Sequence, residues 1–206
     1  MTAPSSATAA SVTVLPIVPP APHWSAWWPL LLGPIGMAWS AMTVLADAPV
    51  LQAKPVHEVG AIVLTALAAL LCVTRAICGR ERFYILLAAV ACTVLLREIH
   101  WDWTTKFVYA SLASIAVWAW FWRDSVTPWL RHRHATRIWL IAAAITYVLS
   151  QMIARRVLQR LVPGDTVIYR FIDGVYGDME EVVENIAHVQ LLVTVTIGSW
   201  VRAVIH

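Results

Sequence analysis

Four ionisable side chains crowd the stretch Leu95-Leu96-Arg97-Glu98-Ile99-His100-Trp101-Asp102-Trp103, at the end of a run that otherwise reads as membrane-spanning. Charge in hydrocarbon is costly, so an ionisable residue at that depth has a partner or a task. A second set lies near the carboxyl end, where Glu181, Glu184 and His188 are spaced three and four apart and share one helix face. Arg97, Glu98, His100, Asp102, Glu181, Glu184 and His188 together form the candidate polar cluster. Arg97 and Glu98 are neighbours and point about 100° apart on a helix, so each is expected to find its partner on another helix. Two kinds of chemistry fit these residue types. One is ion pairing, with Arg97, Arg155 or Arg156 set against the carboxylates. The other is metal binding, for which His57, His100, Glu184 and His188, with Glu98 beside them, offer ligands suited to zinc or iron. The spacing selects neither, because it lacks the paired Glu-x-x-His of di-iron bundles and the His-Glu-x-x-His of zinc proteases.

Other candidates carry less. Cys72, Cys78 and Cys92 fall in apolar runs without a Cys-x-x-Cys pair, which fits small buried residues better than a thiol relay. Ser111 and Ser150 have no evident histidine partner, and no catalytic residue is assigned. His57, His100 and His188 all fall near one surface, which disfavours a central haem. Arg155, Arg156 and Arg160 are set among the apolar Leu158 and Leu161. They read either as a surface segment that attracts anionic lipid headgroups or as a snorkelling helix end.

The elements that must position these residues are membrane helices. Of 206 residues, 60% are hydrophobic and 13% charged, and the mean hydropathy is +0.69. Soluble domains carry about 25% charged residues. A net charge of +3 does not point to nucleic acid, because the basic residues flank apolar runs as membrane orientation requires. Residues 1–22 lack the basic start of a signal peptide and are expected to form a disordered tail, with the membrane domain covering 23–206. Six spans are expected, at about 24–46, 57–78, 83–103, 107–122, 138–158 and 182–204. The first contains Gly33-Pro34-Ile35-Gly36, where a kink is expected. Trp24, Trp27 and Trp28 read as an aromatic belt at one interface, and Trp118, Trp120, Phe121 and Trp122 as one at the other. The segment 123–137 reads as a basic loop. Asp178 followed by Glu181 reads as a helix N-cap with its capping-box carboxylate.

Placing the basic segments 80–82 and 123–137 in the cytoplasm puts both termini there and makes the protein a multi-pass component of a cell inner membrane. Most acidic residues, and His57, His100 and His188, then gather at the outer end of an all-α bundle.

Arg97-Glu98 followed by an aromatic, then Lys106-Phe107 and Tyr109, and later Glu180-Glu181-x-x-Glu184, resemble a pattern in uncharacterised polytopic inner-membrane proteins of bacteria. The resemblance covers the third, fourth and sixth spans and implies no activity. The chain also looks a little like the membrane hydrolases related to alkaline ceramidases, which hold zinc with three histidines near one surface. It departs from them in having Glu184-x-x-x-His188 where they carry His-x-x-x-His, and in six expected spans where they have seven. The leading expectation is a binding or scaffold protein whose outward-facing cluster serves a small solute, a lipid headgroup or another membrane subunit. The alternative is a metal-dependent hydrolase acting on a lipid of the outer leaflet. A transporter has less support, because polar residues thin out toward the inner side.

Overall fold

In the computed structural model, residues 23–46, 54–99, 104–160 and 167–197 are described, without the side chains of 167–178 and a few others. The expected tail at 1–22, His100, Trp101, Asp102 and Trp103, Pro163-Gly164, and the end of the sixth span lie outside the described residues. All regular structure among the described residues is helical. A 3-10 helix, Trp24–Leu31, leads into α1 (Leu32–Leu45), followed by α2 (Lys54–Gly79), α3 (Arg82–Glu98) and α4 (Thr104–Phe121). Then come the short α5 (Arg123–Arg131), α6 (His134–Ala154), the single turn α7 (Val157–Arg160) and α8 (Val167–Thr196). Among the described residues two helices, Pro55–Gly79 and His134–Ala154, are long and apolar enough to cross a membrane, with mean hydropathies of 2.3 and 1.5.

α8 is central, packing against α1, α2 and α6, while α3 packs on α2 and α4. The contact between α2 and α3 is built from small side chains: Ala68, Ala69 and Cys72 face Ala88 and Ala91, with Leu191 and Val195 of α8 closing the cluster. Small residues let helix backbones approach closely, which matters where helices lack a hydrophobic drive to associate. Gly36 serves the same end between α1 and α8, since a Cβ there would lie 2.1 Å from Ile186 Cδ1. Arg75, buried on α2, donates to the backbone carbonyls of Val195 and Ile197 and lies 4.2 Å from the Tyr84 ring centroid. It supplies from a neighbouring helix the cation that a helix C-terminus favours and that α8 itself lacks in its last turn.

Three expectations are corrected. The basic segment is not simply a loop: Arg123–Arg131 is helical. Val126, Trp129 and Leu130, spaced three and one apart, form an apolar face that packs on the α2–α3 cluster. Trp129 stacks on Phe83 at 4.3 Å. Asp178 is not an N-cap, because α8 starts at Val167 and runs through Gly174 and Gly177. Glycine lowers helix propensity by only about 1 kcal/mol, which packing overrides. The break in the first span falls at the 3-10/α junction before Leu32. Pro34 sits in the first turn of α1, where a missing N–H costs no helical hydrogen bond.

The two basic segments meet at one end of the bundle. Arg82 donates to Ser125 Oγ at 3.2 Å, and Arg133 lies 3.9 Å from Glu81.

Candidate functional site

α8 sends a polar side chain to each of four neighbouring elements. Asn185 Nδ2 donates to the His57 carbonyl of α2 at 3.3 Å, and Gln190 Nε2 donates to the Pro29 carbonyl of the 3-10 helix at 2.9 Å. Glu184 reaches α3, where the Arg97 guanidinium grips it with two parallel N–H groups, Nη1 to Oε1 and Nη2 to Oε2. Such a fork fixes both side chains in direction as well as distance. His188, one turn on, meets Tyr147 of α6, whose hydroxyl lies 2.7 Å from Nδ1.

The two faces of the α3 terminus thus converge on one stripe. Arg97 takes Glu184, and Glu98 turns to His188, with Glu98 Oε1 lying 3.9 Å from His188 Nε2. One donor atom from each of Glu98, Glu184 and His188 lies within 4.8 Å of the other two. All three side chains are enclosed, at 8%, 6% and 0% exposure. His188 Nε2 has no hydrogen-bond partner among the described residues.

Four of the expected cluster residues are therefore brought together: Arg97, Glu98, Glu184 and His188. Glu181 lies one turn before Glu184 and is half-buried. Among the described residues His57 is not in the metal-capable group, and its carbonyl accepts from Asn185 in the α2–α8 contact. His100 and Asp102 fall outside the described residues. Arg155, Arg156 and Arg160 are exposed, and the arginine that grips Glu184 is Arg97. Arg156, at φ 54°, takes the left-handed conformation that ends α6 and separates it from α7.

Beside the cluster, α3, α4 and α6 enclose a cavity of about 240 Å³. Val90, Val94, Val108 and Leu112 make its wall, while Arg97, Thr105, Tyr109, Tyr147 and Gln151 supply polar groups. Arg155 Nη2 donates to the Tyr109 hydroxyl at 2.6 Å. The Gln151 amide nitrogen has no acceptor among the described residues. A second recess, about 280 Å³, lies on the far side of Tyr147 and Gln151 and reaches Val148, Met152 and Arg155. Sequence reasoning passed over Tyr147 and Gln151 because they interrupt an apolar run only singly. The available sign was their spacing with Arg155: positions 147, 151 and 155 stand four apart and share a face of α6.

No family model, curated protein or solved structure matches this chain. The geometry itself must carry the functional reading.

Proposed function

We propose that this is a six-span inner-membrane protein, both termini cytoplasmic, that binds an amphiphile with an anionic head between α3, α4 and α6. The membrane part is supported by where the side chains lie. Large apolar residues such as Met42, Leu70 and Ile77 are 63–69% exposed, while Thr65, Ser150, Gln190 and Thr194 are fully buried. Water would favour the reverse. The buried hydroxyls are satisfied within their own helices, as Thr65 on the Ala61 carbonyl and Thr194 on that of Gln190, both at 2.7 Å.

The ligand reading is carried by one observation: a cavity with an apolar wall ends in groups that donate hydrogen bonds. Arg97, Gln151 and Tyr109, with Arg155 behind Tyr109, suit an anion such as a phosphodiester. At about 240 Å³ the cavity is smaller than the ~300–1,000 Å³ of pockets that enclose a whole drug-sized ligand. It suits the upper part of a lipid whose chains continue into the surrounding hydrocarbon. α4, which packs on α3 and α5, leaves the side toward α6 as the route of entry.

The test is retention of lipid by purified protein exchanged into mixed micelles of phosphatidylglycerol and phosphatidylcholine. Phosphatidylglycerol should be retained selectively, and retention should drop at least tenfold in Leu112→Trp, which fills the wall, and in the pair Gln151→Leu with Arg155→Gln. Equal retention of both lipids, or no effect of Leu112→Trp, would refute the reading. A metal-dependent lipid hydrolase is the second reading, favoured by the Glu98–Glu184–His188 group across Tyr147 from the cavity.

A further inference from the structure

The fully enclosed imidazole of His188 is aimed at two carboxylates, with no hydrogen bond at Nε2 among the described residues. Its other nitrogen is occupied by the Tyr147 hydroxyl at 2.7 Å. When Nδ1–H donates to that oxygen, Nε2 presents its lone pair to Glu98 and Glu184. A lone pair facing carboxylates in a buried site is repulsive unless a positive charge stands between them. When instead Nε2 carries the hydrogen, its distance of 3.9 Å to Glu98 Oε1 is too long for a hydrogen bond. Neither tautomer satisfies the ring with the described groups around it.

We propose that Glu98, Glu184 and His188 hold a divalent first-row transition ion of the zinc type, with Tyr147 as the positioning residue behind the histidine. The proposal concerns the ion alone, goes beyond amphiphile binding and depends neither on it nor on hydrolysis. One imidazole nitrogen and two carboxylates are a mixed N/O donor set of the kind zinc accepts, leaving a coordination position open. Zinc–ligand bonds of about 2.0–2.2 Å hold donor atoms at most ~4.4 Å apart, whereas here the three span up to 4.8 Å. The group must therefore draw in by a fraction of an ångström or more, a movement within reach of side-chain rotation. Arg97 does not compete for the whole of Glu184. Each carboxylate oxygen has two lone pairs, and the fork uses one on each. The Tyr147 contact matches the arrangement in which a ligating histidine gives its second N–H to an acceptor, fixing tautomer and ring orientation.

The full chain, purified in detergent and stripped with chelator, is titrated with Co²⁺ and read by its visible d–d absorption, then back-titrated with Zn²⁺. We expect one Co²⁺ per chain, displaced by Zn²⁺. His188→Gln and Glu98→Gln should abolish the band, and Tyr147→Phe should weaken binding 10–100-fold. Glu81→Gln, at the opposite end, should leave it unchanged. His188→Cys keeps a ligand at the position and should add a near-ultraviolet thiolate-to-cobalt band, a readout that mere loss of folding cannot produce. Absence of stoichiometric uptake, or uptake unaltered in His188→Gln with no thiolate band in His188→Cys, would overturn the proposal and leave a proton as the charge between these groups. Because the ion is assayed without added lipid, its failure leaves the lipid-retention result standing, and the converse holds too.

Discussion

The Arg97–Glu184 fork is where a single atom change should be felt most. Removing one member of a buried pair leaves the other charge enclosed without compensation, at a cost of about 3–5 kcal/mol. Arg97 keeps about a third of its side-chain surface, at 35%, against 8% for Glu184. The cost should therefore be asymmetric: Arg97→Met strands the buried Glu184, whereas Glu184→Met leaves a guanidinium that can turn outward. We expect a loss near ~3 kcal/mol for the first and less for the second. The double variant should be more stable than Arg97→Met alone. Glu81→Gln, which touches a pair at 3.9 Å, should cost under ~1 kcal/mol. Thermal unfolding in detergent measures all four. Similar midpoints throughout would mean that the fork carries no stability. At this scale the sequence was informative, since Arg97, Glu98, Glu184 and His188 stood out as ionisable residues in apolar runs. Tyr147 did not, because a tyrosine is unremarkable in such a run and only its contact with His188 gives it a task.

At the scale of the helix, backbone fit decides more than charge. Gly36 lets α1 lie against α8, and the obstructing atom would be the flexible end of Ile186. Gly36→Ala should therefore cost about 1–3 kcal/mol through overpacking, and adding Ile186→Ala should recover part of that loss. No recovery would mean that the two helices do not approach there. Arg80 and Arg156 take left-handed backbone at φ 49° and 54° where α2 and α6 end. A non-glycine residue pays about 1 kcal/mol or more for that conformation, so Arg80→Gly, at an exposed position, should raise the unfolding midpoint in detergent, and an unchanged or lower midpoint would mean that the backbone there carries no strain. The main helices were legible because each apolar run is long. α5 was not, because its arginines and Pro128 read as loop and its apolar face is only three residues wide. The early start of α8 was hidden by Gly174 and Gly177, which read as breaks although each lowers helix propensity by only about 1 kcal/mol.

For the molecule as a whole, the cavity between α3, α4 and α6 and the polar cluster acquire a leaflet only through topology. α6 has 21 residues, about 32 Å of helix, against a hydrocarbon core of about 30 Å. Its two ends should therefore emerge on opposite sides. Thr127 on α5 and Arg160 on α7 flank these ends, and both are exposed. After Cys72, Cys78 and Cys92 are replaced, a single cysteine is placed at either position and offered a membrane-impermeant maleimide, first in spheroplasts and then in inverted vesicles. The basic segments near Thr127 favour the cytoplasm, so Thr127→Cys should react only in inverted vesicles and Arg160→Cys only in spheroplasts. Labelling of both from the same face would end the six-span arrangement, because a crossing α6 cannot return both ends to one side. The reverse pattern would keep the fold but invert it, moving the Arg155–Tyr109 end of the cavity to the cytoplasmic leaflet. That inversion has a physical consequence of its own. Anionic lipid is concentrated in the cytoplasmic leaflet, where each surface arginine gains about 1 kcal/mol, so the same cavity would then draw on a far larger pool of acidic headgroups.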